Sequence, residues 1–357
     1  MAYRDRFCAE ASAVAGTLAD IVQADLKDRD SAQVERCFTR LARLRSDLAS
    51  LLREQAVIAA SRGYRGLRYA ERRAMETQAP FDGDPRRVLE HWNRVLQTAR
   101  VAVTFDRQPL YTPATEGWDV GVQRWAALNQ AMILMHEFVN SREAQAEQAK
   151  EDGYFTDIPL PMSLFMSECH AAYRVCLAQK RRAPMRFVDV GCGGGIKVLM
   201  AAQIFAEAHG LEVDPNFYQA AERLLGQVGR GRALAIEGDA LTFEGYQDYD
   251  VIYFYQPIRD PDLLIEMERR IVEQAFAGTV IVAPYIGFQE RGSSYGCGQI
   301  TRNVWVTGTP QAEADALIKK AEQTSPVICP LPLSDLSQVG ILRPLAEALD
   351  TRGFVIA

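Results

Sequence analysis

The segment Val188-Asp189-Val190-Gly191-Cys192-Gly193-Gly194-Gly195 constrains this chain more than any other. A short apolar run followed by four glycines reads as a strand ending in a sharp turn, where the backbone bends freely and a ligand can approach the main chain. Around it the pattern alternates. Arg186 to Val190 reads as a strand, 196–208 as a helix ending at His209-Gly210, Leu211 to Val213 as a second strand and 216–226 as a helix. Leu234 to Ile236, Asp250 to Tyr255 and Thr279 to Ala283 come next as strands, with a helix over 261–276 between the last two. Strands alternating with helices predict a doubly wound, mostly parallel sheet covered on both faces. Ligands of such sheets sit beyond the carboxyl ends of the strands, where strand order reverses. Asn303 to Val306 predicts a further strand, 310–322 a helix, and 341–357 a final helix and strand.

Upstream the period changes to that of helices. Val34, Phe38, Leu41, Leu44, Leu48, Leu51 and Ile58 fall at steps of three and four, one apolar stripe with Asp30-Ser31 as its N-cap. After a turn-rich break at 78–85, Val88, Leu89, Trp92, Val95 and Leu96 mark another helix, and Val122, Trp125, Leu128, Met132, Met135 and Phe138 a third over about 120–149. The expected division is an all-α cap domain over 1–150 and an α/β domain over 151–357, joined through a helix near 162–180. The 34–58 stripe serves internal packing or a homodimer equally well.

Of the 357 residues, 48% are hydrophobic and 24% charged, the usage of an ordinary globular protein. No apolar run reaches the roughly 18 to 20 residues of a membrane span, and no signal-peptide pattern opens the chain, so the expectation is a cytoplasmic protein with no membrane partner. The net charge of -6 divides as +2 over 1–150 and -8 over the remainder, without the basic excess of a nucleic-acid domain. The one local basic cluster, Arg62, Arg65, Arg68, Arg72 and Arg73 with Tyr64 and Tyr69, reads as a solvated helix face. Seven scattered cysteines form no C-x-x-C pair, and His91, His136, His170 and His209 show no ligand spacing, so neither metal nor disulfide is expected. Cys169-His170 is no catalytic pair, because adjacent helical residues point apart. His209 is expected at a helix C-terminus, where it suits the dipole.

A dinucleotide fingerprint needs G-x-G-x-x-G, and its third glycine would fall on Ile196. The spacing present is G-x-G-x-G, with Asp189 two positions ahead. Over roughly 185–285 this resembles the class I S-adenosylmethionine-dependent methyltransferases, which implies a Rossmann-like, seven-stranded fold. The resemblance implies that Asp189 and the turn Gly191-Cys192-Gly193 hold the methionine end of the cofactor. It places Glu212, followed by Val213, on the ribose hydroxyls. In Glu237-Gly238-Asp239-Ala240 it places Asp239 on the adenine amine, with Ala240 supplying an amide. Three ordered matches at three successive strand ends carry far more weight than one glycine turn.

Strand four departs from relatives that methylate amides or bases, which carry Asn/Asp-Pro-Pro-Tyr/Phe there. This chain has Tyr255-Gln256-Pro257-Ile258. Tyr255, at the strand end, could face a sulfonium and stabilise it by about 1–2 kcal/mol. In many class I enzymes the segment before the first strand folds over the cofactor. The loop Tyr154 to Pro161 therefore puts Tyr154, with Asn140 and Tyr173, among the expected catalytic residues beside Tyr255. Arg259-Asp260 suits a carboxylated substrate or an exposed ion pair.

The expected function is methyl transfer from S-adenosylmethionine to a small molecule, with positioning as its main device. The alternative is chemistry on the aminocarboxypropyl arm, by similarity to nicotianamine synthases or to enzymes that cyclise it to azetidine-2-carboxylic acid with release of methylthioadenosine. A scaffold with a vestigial pocket is disfavoured by intact Asp189, Glu212 and Asp239, and a dehydrogenase by Ile196.

Overall fold

The computed structural model describes residues 2–24, 28–60, 85–105, 107–110, 120–140, 144–181, 184–325 and 340–354. In chain order the helices are α1 (Ala2–Gln23), α2 (Ser31–Ala60), α3 (Pro85–Thr104), α4 (Val120–Val139), α5 (Glu147–Glu151), α6 (Met162–Ala178), α7 (Ile196–Ala201), α8 (Pro215–Val228), α9 (Pro261–Gln274), α10 (Ile286–Arg291), α11 (Gln311–Ala321) and α12 (Arg343–Thr351). The strands are β1 (Arg186–Val190), β2 (Glu207–Glu212), β3 (Ala233–Glu237), β4 (Val251–Phe254), β5 (Val280–Val282), β6 (Gly298–Gln299) and β7 (Val304–Val306). No helix among the described residues is long and apolar enough to cross a membrane.

The chain forms two compact units, one of Met1–Asp106 with Leu333–Ala357 and one of Arg107–Pro332. This differs from the expected division at 150, for two physical reasons. Helix α4 belongs to the α/β unit: the side chain of Asn129 accepts from the Ser163 amide at 2.8 Å and donates to its hydroxyl at 3.0 Å, tying α4 to the start of α6. Helix α12 belongs to the helical unit, where Leu345 and Leu349 join the same buried cluster as α1, α2 and α3.

In the helical unit the expected stripe points inward. Phe38, Leu41, Leu44 and Leu48 of α2 are buried against Leu18 of α1 and Trp92 and Val95 of α3. Asp30 caps α2 through the Ala32 amide at 2.9 Å. The Arg29 guanidinium donates to the carbonyls of Ala102 and Val103, satisfying acceptors that the end of α3 leaves open. The side chains of Leu51, Ile58, Val88 and Val122, the 62–73 basic cluster and nearly all of the 78–85 break lie outside the described residues.

The α/β unit is built on a seven-stranded sheet in the order β3-β2-β1-β4-β5-β7-β6. The first five strands are parallel, β7 runs antiparallel to β5, and β6 antiparallel to β7. Helices on both faces bury β1 and β4, which explains why Val251-Ile252-Tyr253-Phe254 reads as an unbroken apolar run. The sheet winds one way from β1 to β2 and the other way from β1 to β4, so the crevice opens beyond β1 at the glycine turn.

Several boundaries move from their expected places. The helix expected to reach 208 stops at Ala201, and β2 begins at Glu207. His209 and Gly210 therefore lie within β2. His209 pairs its Nδ1 with the Tyr249 hydroxyl at 2.8 Å instead of closing a helix. Gly210 is required because a Cβ there would lie 2.6 Å from Cys192 Sγ. Helix α4 ends at Val139 rather than 149, with Met132 buried while Trp125, Met135 and Phe138 are exposed. After α12 no strand forms over 352–354.

Candidate functional site

The cleft beyond β1 and β2 encloses about 690 Å³ of space open to solvent. From β1 and its turn it takes Asp189, Gly191 and Gly193; from α7, Lys197; from the end of β2, Glu212 and Val213; and from α8, Phe217. Gly238 and Ala240 line it after β3, Tyr255 and Pro257 after β4, and the loop Tyr154 to Ile158 closes its side. Glycine is required at the turn: Gly191 has φ +78°, and a Cβ there would lie 2.7 Å from Pro257 Cβ. Gly193 has φ +56°, and its Cβ would run into the Asp157 carboxylate.

Asp189 is 1% exposed, and neither carboxylate oxygen has a hydrogen-bond partner among the described residues. Burial, only partly opposed by Lys197, pushes its pKa up to about 7. An orphaned buried carboxylate is costly and calls for a cationic partner. Glu212, at the end of β2, accepts from Gly193 N at 2.7 Å and from Asp214 N at 2.9 Å. Burial raises it, too, to about 7 against those amides. Asp214 caps α8 instead of facing a ligand, accepting from Asn216 N at 2.9 Å and Phe217 N at 3.3 Å.

Asp157 belongs to no motif in the sequence, yet it sits against the glycine turn. It accepts from Gly194 N at 2.8 Å, from Asn140 Nδ2 at 2.7 Å and from His136 Nε2 at 3.0 Å. Burial works against its charge, but the His136 hydrogen bond, the Lys197 charge and the Gly194 amide outweigh it and hold its carboxyl well below the usual range. Lys197 is the one cation among the residues lining the cleft. Its ammonium makes no hydrogen bond or ion pair among the described residues. Burial lowers its pKa, and the charges of Asp189 and Asp157 more than restore it.

Of the expected site residues, the fold brings Asp189, Gly191, Gly193, Glu212, Val213, Ala240, Tyr154 and Tyr255 to this cleft. Asp239 stands beside it, its Oδ1 accepting from Tyr154 Oη at 3.2 Å and Leu241 N at 2.9 Å. Cys192 turns away into the core and lines a smaller adjoining cavity. Asn140 lies behind Asp157 rather than facing the cleft. Tyr173 is 3% exposed on the inner face of α6, packed edge-on against Phe205 at 6.2 Å; it is a core residue. Arg259 forms no ion pair with Asp260, which caps α9, and lies over the Phe155 ring at 5.1 Å. Lys197 has one signal in the sequence, a rare lysine placed two residues after the glycine turn. His136 and Asp157 have none, being far apart in the chain.

No protein-family model and no curated protein matches the chain. Among solved structures it is similar to an RNA methyltransferase from Salinibacter ruber in complex with S-adenosyl-L-homocysteine, at 21% identity over 35% of this chain and 76% of that one, with a TM-score of 0.29. It is similar to a sugar N-methyltransferase from Streptoalloteichus sp. ATCC 53650 at 22% identity, over 36% of this chain and 55% of that one (TM-score 0.28). A third, the magnesium protoporphyrin IX methyltransferase of Synechocystis PCC 6803, is 14% identical over 54% of this chain and 97% of that one (TM-score 0.32). The chain thus spans about half the length of the sugar enzyme. The parallel strands wound both ways from β1, the reversed β7 and the glycine turn at the switch point make this chain's α/β unit a Rossmann-like fold, as the sequence resemblance implies.

Proposed function

We propose that this protein binds S-adenosylmethionine in the cleft at the glycine turn and uses it to methylate a small molecule. The observation that supports this most is the orphaned Asp189 carboxylate at the switch point, which the ammonium of the bound cofactor would satisfy. The cofactor would supply a methyl group on a sulfonium, open to in-line attack. Glu212, fixed in place by two amides, keeps the remaining acceptor capacity of its carboxylate for a pair of hydroxyls. Asp239 and the Ala240 amide stand where the flat base would lie. Tyr255 is held edge-on by Tyr285 at 6.3 Å and 89°, which fixes its ring beside the cleft. Phe155, Ile158 and Phe217 give the cleft an apolar wall beside the reacting atoms.

A second reading, attack on the aminocarboxypropyl arm, is favoured by one feature. The ionisable groups Asp157, Asp189 and Lys197, with His136 behind them, gather at the glycine turn, where the resemblance puts the amino-acid end. Incubating the protein with S-adenosylmethionine alone and analysing the products by mass spectrometry separates the two. Intact cofactor supports methyl transfer; methylthioadenosine with a small amino acid overturns it in favour of arm chemistry. Calorimetry on Asp189→Ala and Glu212→Ala tests the site itself, and unchanged affinity in both would remove it.

A further inference from the structure

We infer that the amino-acid end of the ligand is gripped by two side chains of opposite charge, Asp189 for its ammonium and Lys197 for its carboxylate, and not by the amides of the glycine turn. This rests on the reading of the cleft as an S-adenosylmethionine site.

The turn has no donor to spare. Gly191 N and Cys192 N both donate to Leu211 O, at 2.8 and 3.1 Å, and Gly195 N donates to Cys192 O at 3.1 Å. Gly193 N is taken by Glu212 and Gly194 N by Asp157. A ligand carboxylate laid on this turn would meet two carboxylates instead of free amides, a like-charge contact that costs free energy. The resemblance assigns a carboxylate to those amides, so in this chain the anion needs another donor.

Lys197 is that donor. It is the one cation lining the cleft, and its three ammonium protons have no partner among the described residues. Asp189 is its complement, buried and with both oxygens unpaired. Each is a principal source of the field on the other, yet the two do not form an ion pair. An α-amino acid carries both complements, an ammonium for the carboxylate and a carboxylate for the cation, two bonds apart. Bound there, the ligand would relieve both unpaired charges at once. Asp157 then has a role of its own: it seals the turn amides and blocks the alternative anion site, leaving Lys197 as the determinant of what the cleft accepts.

The test uses three nucleosides measured by calorimetry on the full chain. They are S-adenosylhomocysteine, its decarboxylated analogue S-adenosyl-3-thiopropylamine, and 5′-methylthioadenosine, which lacks the amino-acid end. The wild type should prefer S-adenosylhomocysteine over the decarboxylated compound by about tenfold or more, the scale of one charged hydrogen bond. Lys197→Met should erase that preference and leave methylthioadenosine affinity within about twofold. Asp189→Asn should weaken both amine-bearing ligands and spare methylthioadenosine. Parallel loss of all three ligands in Lys197→Met, or an undiminished preference, overturns the inference. Lys197→Gln, which keeps most of the stem, provides the same comparison should the methionine variant fail to fold. If the wild type binds none of the three, the S-adenosylmethionine reading itself falls. If it binds methylthioadenosine and S-adenosylhomocysteine equally, that reading stands and only the two-charge grip is lost.

Discussion

The Tyr154 hydroxyl donates to Oδ1 of Asp239 at 3.2 Å, and that same oxygen accepts the Leu241 amide at 2.9 Å. One atom thus ties the loop before α6 to the turn after β3, on the side of the cleft proposed above for the base. Burial, and then the Asp239 charge, raise the tyrosine pKa above its ordinary value, so the group is a donor throughout the physiological range.

Tyr154→Phe removes that donor and leaves the Leu241 amide in place. The expected cost to stability is about 0.5–1.5 kcal/mol. S-adenosylhomocysteine affinity should fall severalfold, because the loop loses its tie to Asp239. Thermal melts and calorimetry read the two effects separately; an unchanged affinity would show that the loop does not help to hold the nucleoside.

Asp189 gives a pH dependence whose sign is set by its burial. Its pKa is raised from 3.8 to about 7 in the folded chain, so the folded state disfavours the charged form. The stability of the neutral form is present below about pH 4 and is lost as pH rises to 7. Three decades of proton affinity correspond to about 4 kcal/mol as an upper figure. Asp189→Asn should therefore be more stable than wild type above pH 7, with the gap closing toward pH 4. Melts across that range check it. A gap independent of pH would mean that Asp189 does not titrate there. Saturating S-adenosylhomocysteine should shrink the advantage of the variant, since an ammonium would settle the wild-type charge.

Gly193→Ala and Gly231→Ala form a matched pair. Both glycines have positive φ, +56° and +73°, but a Cβ meets the Asp157 carboxylate at 193 and nothing within 4 Å at 231. Strain alone should cost about 1–2 kcal/mol at Gly231. At Gly193 the methyl must also displace Asp157 from the Gly194 amide, so the loss should be larger and ligand binding should go with it. Equal melting temperatures for the two variants would contradict the close approach of Asp157.

Glu268, fully buried on α9, accepts from Tyr285 at 2.6 Å, Tyr295 at 2.8 Å and both Nε and Nη2 of Arg291 at 2.8 and 2.6 Å. Removing it in Glu268→Ala leaves a partly buried guanidinium and two phenols unsatisfied, at an expected cost of about 3–5 kcal/mol. Urea denaturation measures this. Tyr285 also steadies Tyr255, so the variant should slow any turnover beyond what its melting curve predicts.

The glycine turn, the strands around it and the acids at the ends of β1, β2 and β3 are legible in the sequence, because each depends on local chemistry: positive φ at Gly191 and Gly193, a continuous apolar run in β4, and carboxylates at or just past strand ends. What is illegible depends on tertiary packing. Ile204-Phe205-Ala206-Glu207-Ala208 has a helical composition, but its last two residues pair with β1 as the start of β2, so local propensity loses. Tyr173 and Tyr154 look alike as tyrosines near the first strand; only the direction of α6 puts one in the core and the other on the cleft. His136 and Asp157 meet because α4 crosses behind the loop, which no spacing encodes. The unit boundary moves away from 150 for a similar reason, since α4 has a helical sequence whichever neighbour it packs on.

The helical unit closes on itself through α1 and α12, with Arg352 Nη1 donating to Val22 O at 2.5 Å, although everything from 107 to 332 lies between its two pieces. The intervening α/β unit brings its own ends together: Gln108 N donates to Glu322 O at 2.9 Å, Arg107 pairs with Glu322, and the buried Arg174 binds the carbonyls of Gln108, Pro109 and Thr324. Once that unit is folded, the entropy of joining α12 to α1 is that of a short tether rather than of the whole intervening chain. The ends of the α/β unit thus meet without help from the helical unit, whereas one side of α1 is covered only when α12 packs on it.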